Sequence, residues 1–428
     1  MKRWRLAAER CEQKLHSRKA EALVALALFV VATVIRLVFI EAHGLAERVY
    51  SDMWVYDFRA KNIVNGTLNE WDTFTPPGYP SMLALLYVTT RDGVAAAGVV
   101  QAFLGGATSV LSQRLTIQVT NSRLLGLLAG VVIALHPPYI YYAGLLLSEM
   151  PFTFFMLLGA SLFIPGVRQS SAPRLLAAGL AFGVATVMRP NLLPAVPLLL
   201  AIAWLCSAQK QAALGPRVLL VLGLLLPLSL ASIHNSRLVK EKAGLATNGG
   251  LNFYLNFAEV SIIHFEGHHI QPIPNAVRHT EPETTNHPFY HERYFYKKGF
   301  QVIRNEPGRL LAAFDNFPET FLLGEQGYWP EWGKESPGFM LLNIPFILLI
   351  WFPALIHGAR LLFSRRLLRE RDPARPLLIA VILSMLVTIY LFLGDPRMRV
   401  PFDAVALALA LDALAGYLRT TDREASAT

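Results

Sequence analysis

Apolar residues run in long blocks along this chain, and the charged residues stand between the blocks instead of alternating within them. The blocks near spanning length are 20–40, 94–118, 122–146, 148–166, 173–188, 191–207, 215–234, 338–358, 376–394 and 400–418. A helix needs about 20 apolar residues to cross roughly 30 Å of hydrocarbon, where it satisfies its own backbone groups without water. The pattern predicts an all-α polytopic membrane protein, a helical bundle with about ten spans. A further apolar piece, 77–91, is only about fifteen residues long, short of the ~17 that a span needs. It is framed by Pro76-Pro77-Gly78 and Arg91-Asp92-Gly93 and reads as a juxtamembrane or re-entrant helix.

Composition supports the pattern. The chain is 54% hydrophobic and 16% charged, where a soluble domain is nearer ~25% charged. The net charge of +9 could suggest nucleic acid, but the basic residues cluster as cytoplasmic loops of membrane proteins do. The two cysteines imply no disulfide framework. The apolar stretch from Ala20 to Ile40 is long for a signal sequence and lacks a small-residue cleavage site, so it reads as a retained first span.

Charge also gives direction. Seven Lys/Arg lie in residues 1–19 and six Arg in 360–375, so the positive-inside rule places both segments in the cytoplasm. Parity then puts 235–337 outside, which requires that 77–91 does not cross. The resulting organisation is a basic cytoplasmic tail (1–19), a transmembrane module (20–234) with its first outer loop at 41–93, an extracytoplasmic loop (235–337), C-terminal transmembrane helices (338–418) and a tail (419–428). Pro137-Pro138 should break the outer end of its helix.

This topology gathers unusual polar residues at one membrane face: Asp52 and Asp57, Ser148-Glu149, Arg189 with Pro190-Asn191, and Asp395, Arg397 and Arg399. Ionisable groups at a membrane boundary are costly unless solvated or paired. Arginine suits phosphate because its planar fork donates two hydrogen bonds, and a carboxylate suits a general base. The set fits chemistry on a phosphorylated lipid at the outer leaflet. Simpler readings compete: an arginine can snorkel to headgroups, Glu149 can stabilise a helix N-terminus, and Asp57 reads as a solvated residue. Residues 52–65 read as a short amphipathic helix with Asp52, Tyr56 and Arg59 on one stripe and Met53, Phe58 and Val64 toward lipid. In the large loop, His264, Glu266, His268 and His269 could bind zinc but read better as a surface cluster. Arg293, Lys297, Lys298, Phe300, Ile303 and Leu310 read as an amphipathic helix near the membrane, broken at Pro307-Gly308.

Five segments in order carry a resemblance: Ser51-Asp52-Met53-Trp54-Val55-Tyr56, Pro76-Pro77-Gly78-Tyr79-Pro80, Leu147-Ser148-Glu149 after Pro137-Pro138-Tyr139, Met188-Arg189-Pro190-Asn191, and Asp395-Pro396-Arg397-Met398-Arg399-Val400-Pro401. Softer echoes are Thr247-Asn248-Gly249-Gly250-Leu251-Asn252-Phe253-Tyr254 and Arg304-Asn305-Glu306-Pro307. The chain resembles the polytopic GT-C glycosyltransferases, closest to the family 39-like branch of bacterial protein-mannosyltransferase-like and lipid A aminoarabinose-transferase-like enzymes. The resemblance implies a GT-C-like bundle with juxtamembrane helices in a bacterial inner membrane, with its active site on the extracytoplasmic side. It implies inverting transfer from a polyprenyl-phosphate sugar to a glycan, lipid or protein acceptor. Asp52 matches the family's catalytic or acceptor-facing acid. Tyr56, Tyr79, Glu149, Arg189, Asn191, Arg397 and Arg399 are the candidate substrate-binding residues. Some relatives carry an acid and a lysine just before the Pro-Pro pair, where this chain has Phe74 and Thr75. No cofactor is therefore assigned, and a divalent metal is left open. The alternative is a transporter or flippase of lipid-linked sugars, which predicts polar residues near the midplane.

Overall fold

The computed structural model describes residues 12, 17–43, 52–90, 93–206, 214–258, 287–321, 344–364, 371–392 and 394–427. The His264 to His269 group lies outside the described residues. Those described are helical with no strand among them. Seven helices are long and apolar enough to cross a membrane, or eight if one bent pair counts as a single span. The first six are α1 (Arg18–His43), α2 (Asp52–Asn65), α3 (Gly78–Thr89), α4 (Gly93–Thr120), α5 (Arg123–Leu135) and α6 (Pro137–Ala143). Then come α7 (Glu149–Arg168), α8 (Ala172–Met188), a 3-10 turn Pro190–Ala195, α9 (Val196–Leu205) and α10 (Leu214–Val239). After them run α11 (Gly249–Phe257), α12 (Pro288–Asn305), α13 (Phe352–Phe363), α14 (Ala374–Leu391) and α15 (Asp403–Ala427).

Three of the ten apolar blocks differ from the long spans. Residues 173–188 give the 17-residue α8, one of the shorter apolar helices. Residues 191–207 divide into the 3-10 turn and the ten-residue α9, because Pro194 and Pro197 each remove a backbone donor. The block 122–146 bends by 52° between α5 and α6, where Pro137 follows His136. Breaking a helix in an apolar interior frees carbonyls that need donors. Arg36 of α1 supplies them: its guanidinium donates to Ile133 O and to Ala134 O, each at 3.2 Å.

Small residues let helices approach where lipid gives no hydrophobic drive. A Cβ added at Gly179 of α8 would stand 2.3 Å from Leu220 O, and one at Gly223 of α10 would stand 2.5 Å from Leu176 O. The two backbones thus pass in contact, and any side chain there would force them apart. One large apolar core runs from α2 through α9 and on into α13, α14 and α15.

The two ends of the bundle differ. At one end Arg168 at the close of α7 pairs with Asp372 at 2.8 Å, and Arg123 pairs with Glu21 at 3.3 Å. At the other end α2, the 3-10 turn Glu70–Thr73 and α3 form a layer, tied to the chain after α10 by Thr247 N donating to Thr73 O at 3.0 Å. The piece 77–91 gives α3, which is 12 residues long and so about 18 Å, too short to cross. The amphipathic helix of the large loop is α12, ended at Glu306 before Pro307-Gly308. It packs on α11 so closely that a Cβ at Gly250 would meet Glu292 O at 2.0 Å.

Candidate functional site

At the α2 end, four separate segments bring charges together. Asp52 opens α2, Glu149 opens α7, Arg189 closes α8, and Arg397 sits in the four-residue helix Pro396–Arg399 before α15. Arg397 joins two acids: its Nη1 donates to Asp52 Oδ2 at 2.7 Å, and its Nε donates to Glu149 Oε1. Arg189 Nη1 stands 2.7 Å from the same Glu149 oxygen and 3.3 Å from Ser148 Oγ, which accepts from it. The result is a continuous chain Asp52–Arg397–Glu149–Arg189. Glu149 is 2% exposed and the Asp52 side chain 48% exposed, so the chain runs from the bundle interior to an open edge.

The surroundings fix each member. Asp395 caps the Arg397 helix by accepting Arg397 N–H at 2.6 Å, and burial pushes its carboxyl up to about 6. Arg189 Nη2 donates to Met398 Sδ at 3.2 Å, and Asn191 Nδ2 donates to the same sulfur at 3.6 Å. The Asn191 carbonyl accepts from Ser384 Oγ of α14 at 2.5 Å, which locks the turn that carries Arg189. Gly78 matters here because a Cβ on it would stand 2.8 Å from the Val187 carbonyl, two residues before Arg189. Tyr56 is buried against Tyr79, ring centroids 5.1 Å apart, and burial raises both phenols. Tyr79 donates to Gln101 Oε1 at 3.1 Å, and Gln101 donates to Leu145 O at 2.7 Å, holding the strand of chain that leads to Glu149.

The candidates do not all meet. Asp52, Glu149, Arg189 and Arg397 touch in sequence, with Asn191 and Tyr56 beside them. Arg399 turns the other way, fully buried, with its Nε 3.7 Å from Asp403. Two neighbours differ from expectation. Asp57 is buried, accepting from Lys61 Nζ at 2.7 Å and from the Tyr87 hydroxyl at 2.7 Å, because α3 covers that face of α2. Met53 is fully buried for the same reason, whereas Phe58 and Val64 are exposed as their stripe predicts. Arg59 donates to the Thr75 carbonyl, and burial lowers its guanidinium to about 10.

Gln101 and Ser384 escaped the reading of the sequence, and Met398 entered it only as one residue of the Asp395–Pro401 segment. Gln101 carried one usable signal, an amide inside an apolar block; Ser384 carried little, since a serine suits a helix facing lipid or core. Among the described residues, no three of His, Cys, Asp and Glu stand together where they could hold a metal ion.

No known protein family matches the chain by sequence profile, and no curated protein matches it by sequence. Among solved structures, it is similar to the crystal structure of the Archaeoglobus fulgidus oligosaccharyltransferase tethered with an acceptor peptide containing the NVT sequon. The identity is 13% and the TM-score 0.46, over 93% of this chain and 50% of the oligosaccharyltransferase chain. The chain thus spans half the length of that protein.

Proposed function

We propose that this protein is a membrane glycosyltransferase that moves a sugar from a polyprenyl-phosphate-sugar donor to an acceptor on the extracytoplasmic side, inverting the anomeric carbon. One observation carries the reading: a single arginine, Arg397, sits between Asp52 and Glu149, with Arg189 on the far side of Glu149. Two arginines beside an open acid suit a phosphate leaving group next to a base. In this mechanism the donor phosphate lies against Arg189 and Arg397, competing with the carboxylates for their N–H groups. Arg397 then gives up part of its hold on Asp52. Asp52 takes the proton from the acceptor hydroxyl as that oxygen attacks the anomeric carbon. The bond from carbon to phosphate oxygen breaks, and polyprenyl phosphate leaves with the electron pair. The leaving group needs no proton, so one base suffices. Glu149 keeps the two arginines from repelling each other before the donor binds and orients their forks.

The test is transfer from a polyprenyl-phosphate sugar by the purified protein. A positioned base contributes ~10²–10⁴-fold, so Asp52→Asn should cut turnover by that range, while donor affinity holds or tightens because one competitor for Arg397 is gone. A well-folded Asp52→Asn protein with near-normal transfer would remove Asp52 from this role and leave it as a helix cap worth about 1 kcal/mol.

A further inference from the structure

A second buried polar group lies deeper in the bundle, and the proposed reaction does not use it. Asp403 is fully buried at the first residue of α15, and three side chains converge on its carboxylate. Trp351 Nε1 donates to it at 2.7 Å, His136 Nε2 lies 2.8 Å away and Arg399 Nε lies 3.7 Å away. Each comes from a different element: the π-helical turn Ile347–Trp351 before α13, the break between α5 and α6, and the helix Pro396–Arg399. Tyr139 adds a fourth tie, donating to Pro401 O at 3.3 Å and accepting Ala404 N–H at 3.3 Å.

Polar groups of this kind are costly inside an apolar bundle, and well-packed hydrophobic residues would hold the helices at least as firmly. The place of the group in the chain suggests what it does. From His136, the short α6 leads directly into Ser148 and Glu149. From Arg399, two residues back, stands Arg397. Two of the four segments that meet in the acid–arginine chain, those carrying Glu149 and Arg397, therefore start from one carboxylate. The four-residue helix carrying Arg397 runs on through the 3-10 turn Val400–Phe402 into Asp403 at the start of α15. The Asp395 cap fixes the start of this continuous segment, and Asp403 ties it, one turn beyond Arg399, to Trp351 and His136.

We infer that Asp403, with His136, Trp351 and Arg399, is a positioning node that sets Arg397 against Glu149 and Asp52. The wiring stands on the geometry alone; its consequence for transfer rests on the function proposed above. A displacement of about 1 Å at a reacting group can cost ~10²-fold in rate, so the node should act on turnover without touching substrate.

The test is a double-mutant cycle on the full-length protein in detergent, with Asp403→Asn, Glu149→Gln and the pair, read by the thermal unfolding midpoint. Residues that do not communicate shift the midpoint additively. The expected result is a pair shift clearly smaller than the sum, because the first change already loosens Arg397 from Glu149. In transfer assays, folded Asp403→Asn should lose ~10–10²-fold in kcat and add little to the loss in Arg397→Lys. Should Asp403→Asn not fold, His136→Gln replaces it in the cycle, and its kcat should exceed that of His136→Ala because it keeps an N–H donor. Additive midpoints, or an unchanged kcat in folded Asp403→Asn, overturn the node. Coupled midpoints in the cycle, together with a wild-type protein that transfers no sugar, support the node and overturn the proposed function instead.

Discussion

Arg397 is the residue on which most of the site's geometry depends. It is a planar fork spanning two carboxylates, with Nη1 on Asp52 at 2.7 Å and Nε on Glu149. Lysine keeps the charge but presents one point donor, so it can serve only one acid at a time. Arg397→Lys should therefore weaken binding of a polyprenyl-phosphate sugar by roughly 10-fold or more, the scale of one charge-assisted hydrogen bond. Equilibrium binding of a labelled donor checks this, and an unchanged affinity would rule out a phosphate-holding role. Asp57 makes the contrast on the same helix. Its carboxylate is spent on Lys61 and the Tyr87 hydroxyl, so it braces α2 against α3.

Helix α12 shows how an element outside the bundle responds to pH. Glu292 and His291 are neighbours on it, and burial drives both toward neutrality. The Glu292 carboxyl is pushed up to about 7, and the His291 imidazole down to about 4. The signs oppose. The raised acid holds a proton in the folded state that the unfolded chain has lost, so its contribution falls as pH rises from about 4.5 through 7. The lowered histidine is neutral in the folded state while the unfolded chain binds a proton, so its contribution grows as pH rises from about 4 to 6.5. Between those limits the two largely cancel, and above pH 6.5 the Glu292 loss stands alone. Glu292→Gln should raise the unfolding free energy at pH 8, by on the order of 1–2 kcal/mol once partial exposure is discounted, and with it the thermal midpoint, and should change little at pH 5. A thermal series of the full chain over that pH range decides it; an equal effect at both pH values would mean that Glu292 is not neutralised by packing on α11.

At the scale of the molecule, the two ends of the bundle carry different charge chemistry. One end holds the acid–arginine chain, and the other holds simple ion pairs such as Arg168 with Asp372 at 2.8 Å. The positive-inside rule assigns the second end to the cytoplasm. Reporter fusions after Thr90 and after Ala258 should then report the extracytoplasmic side, and fusions after Gln169 and after Asp372 the cytoplasm. A cytoplasmic signal at Thr90 would place α3 across the membrane and sink the proposal that the site faces outward.

The helical, multi-helix character of this protein was legible in one dimension because lipid demands it: long apolar blocks have no other way to satisfy their backbones. The break at Pro137, the amphipathic α12 and the shortness of α3 were legible for similar local reasons, namely a missing donor, a helical period and a length. The residue types at the site were legible too, since charges stand out against an apolar background. Which of them touch was not. Arg397 and Arg399 are two residues apart with the same side chain, and nothing local says that one reaches Asp52 while the other turns inward to Asp403. Asp57 looked solvated until α3 was laid over it, and Gln101 looked incidental until Tyr79 and the Leu145 carbonyl met it. Composition and period settle how each segment meets the membrane because that is a contest between one segment and one solvent. Pairing depends on distances between segments far apart in the chain, and only the packed bundle sets those.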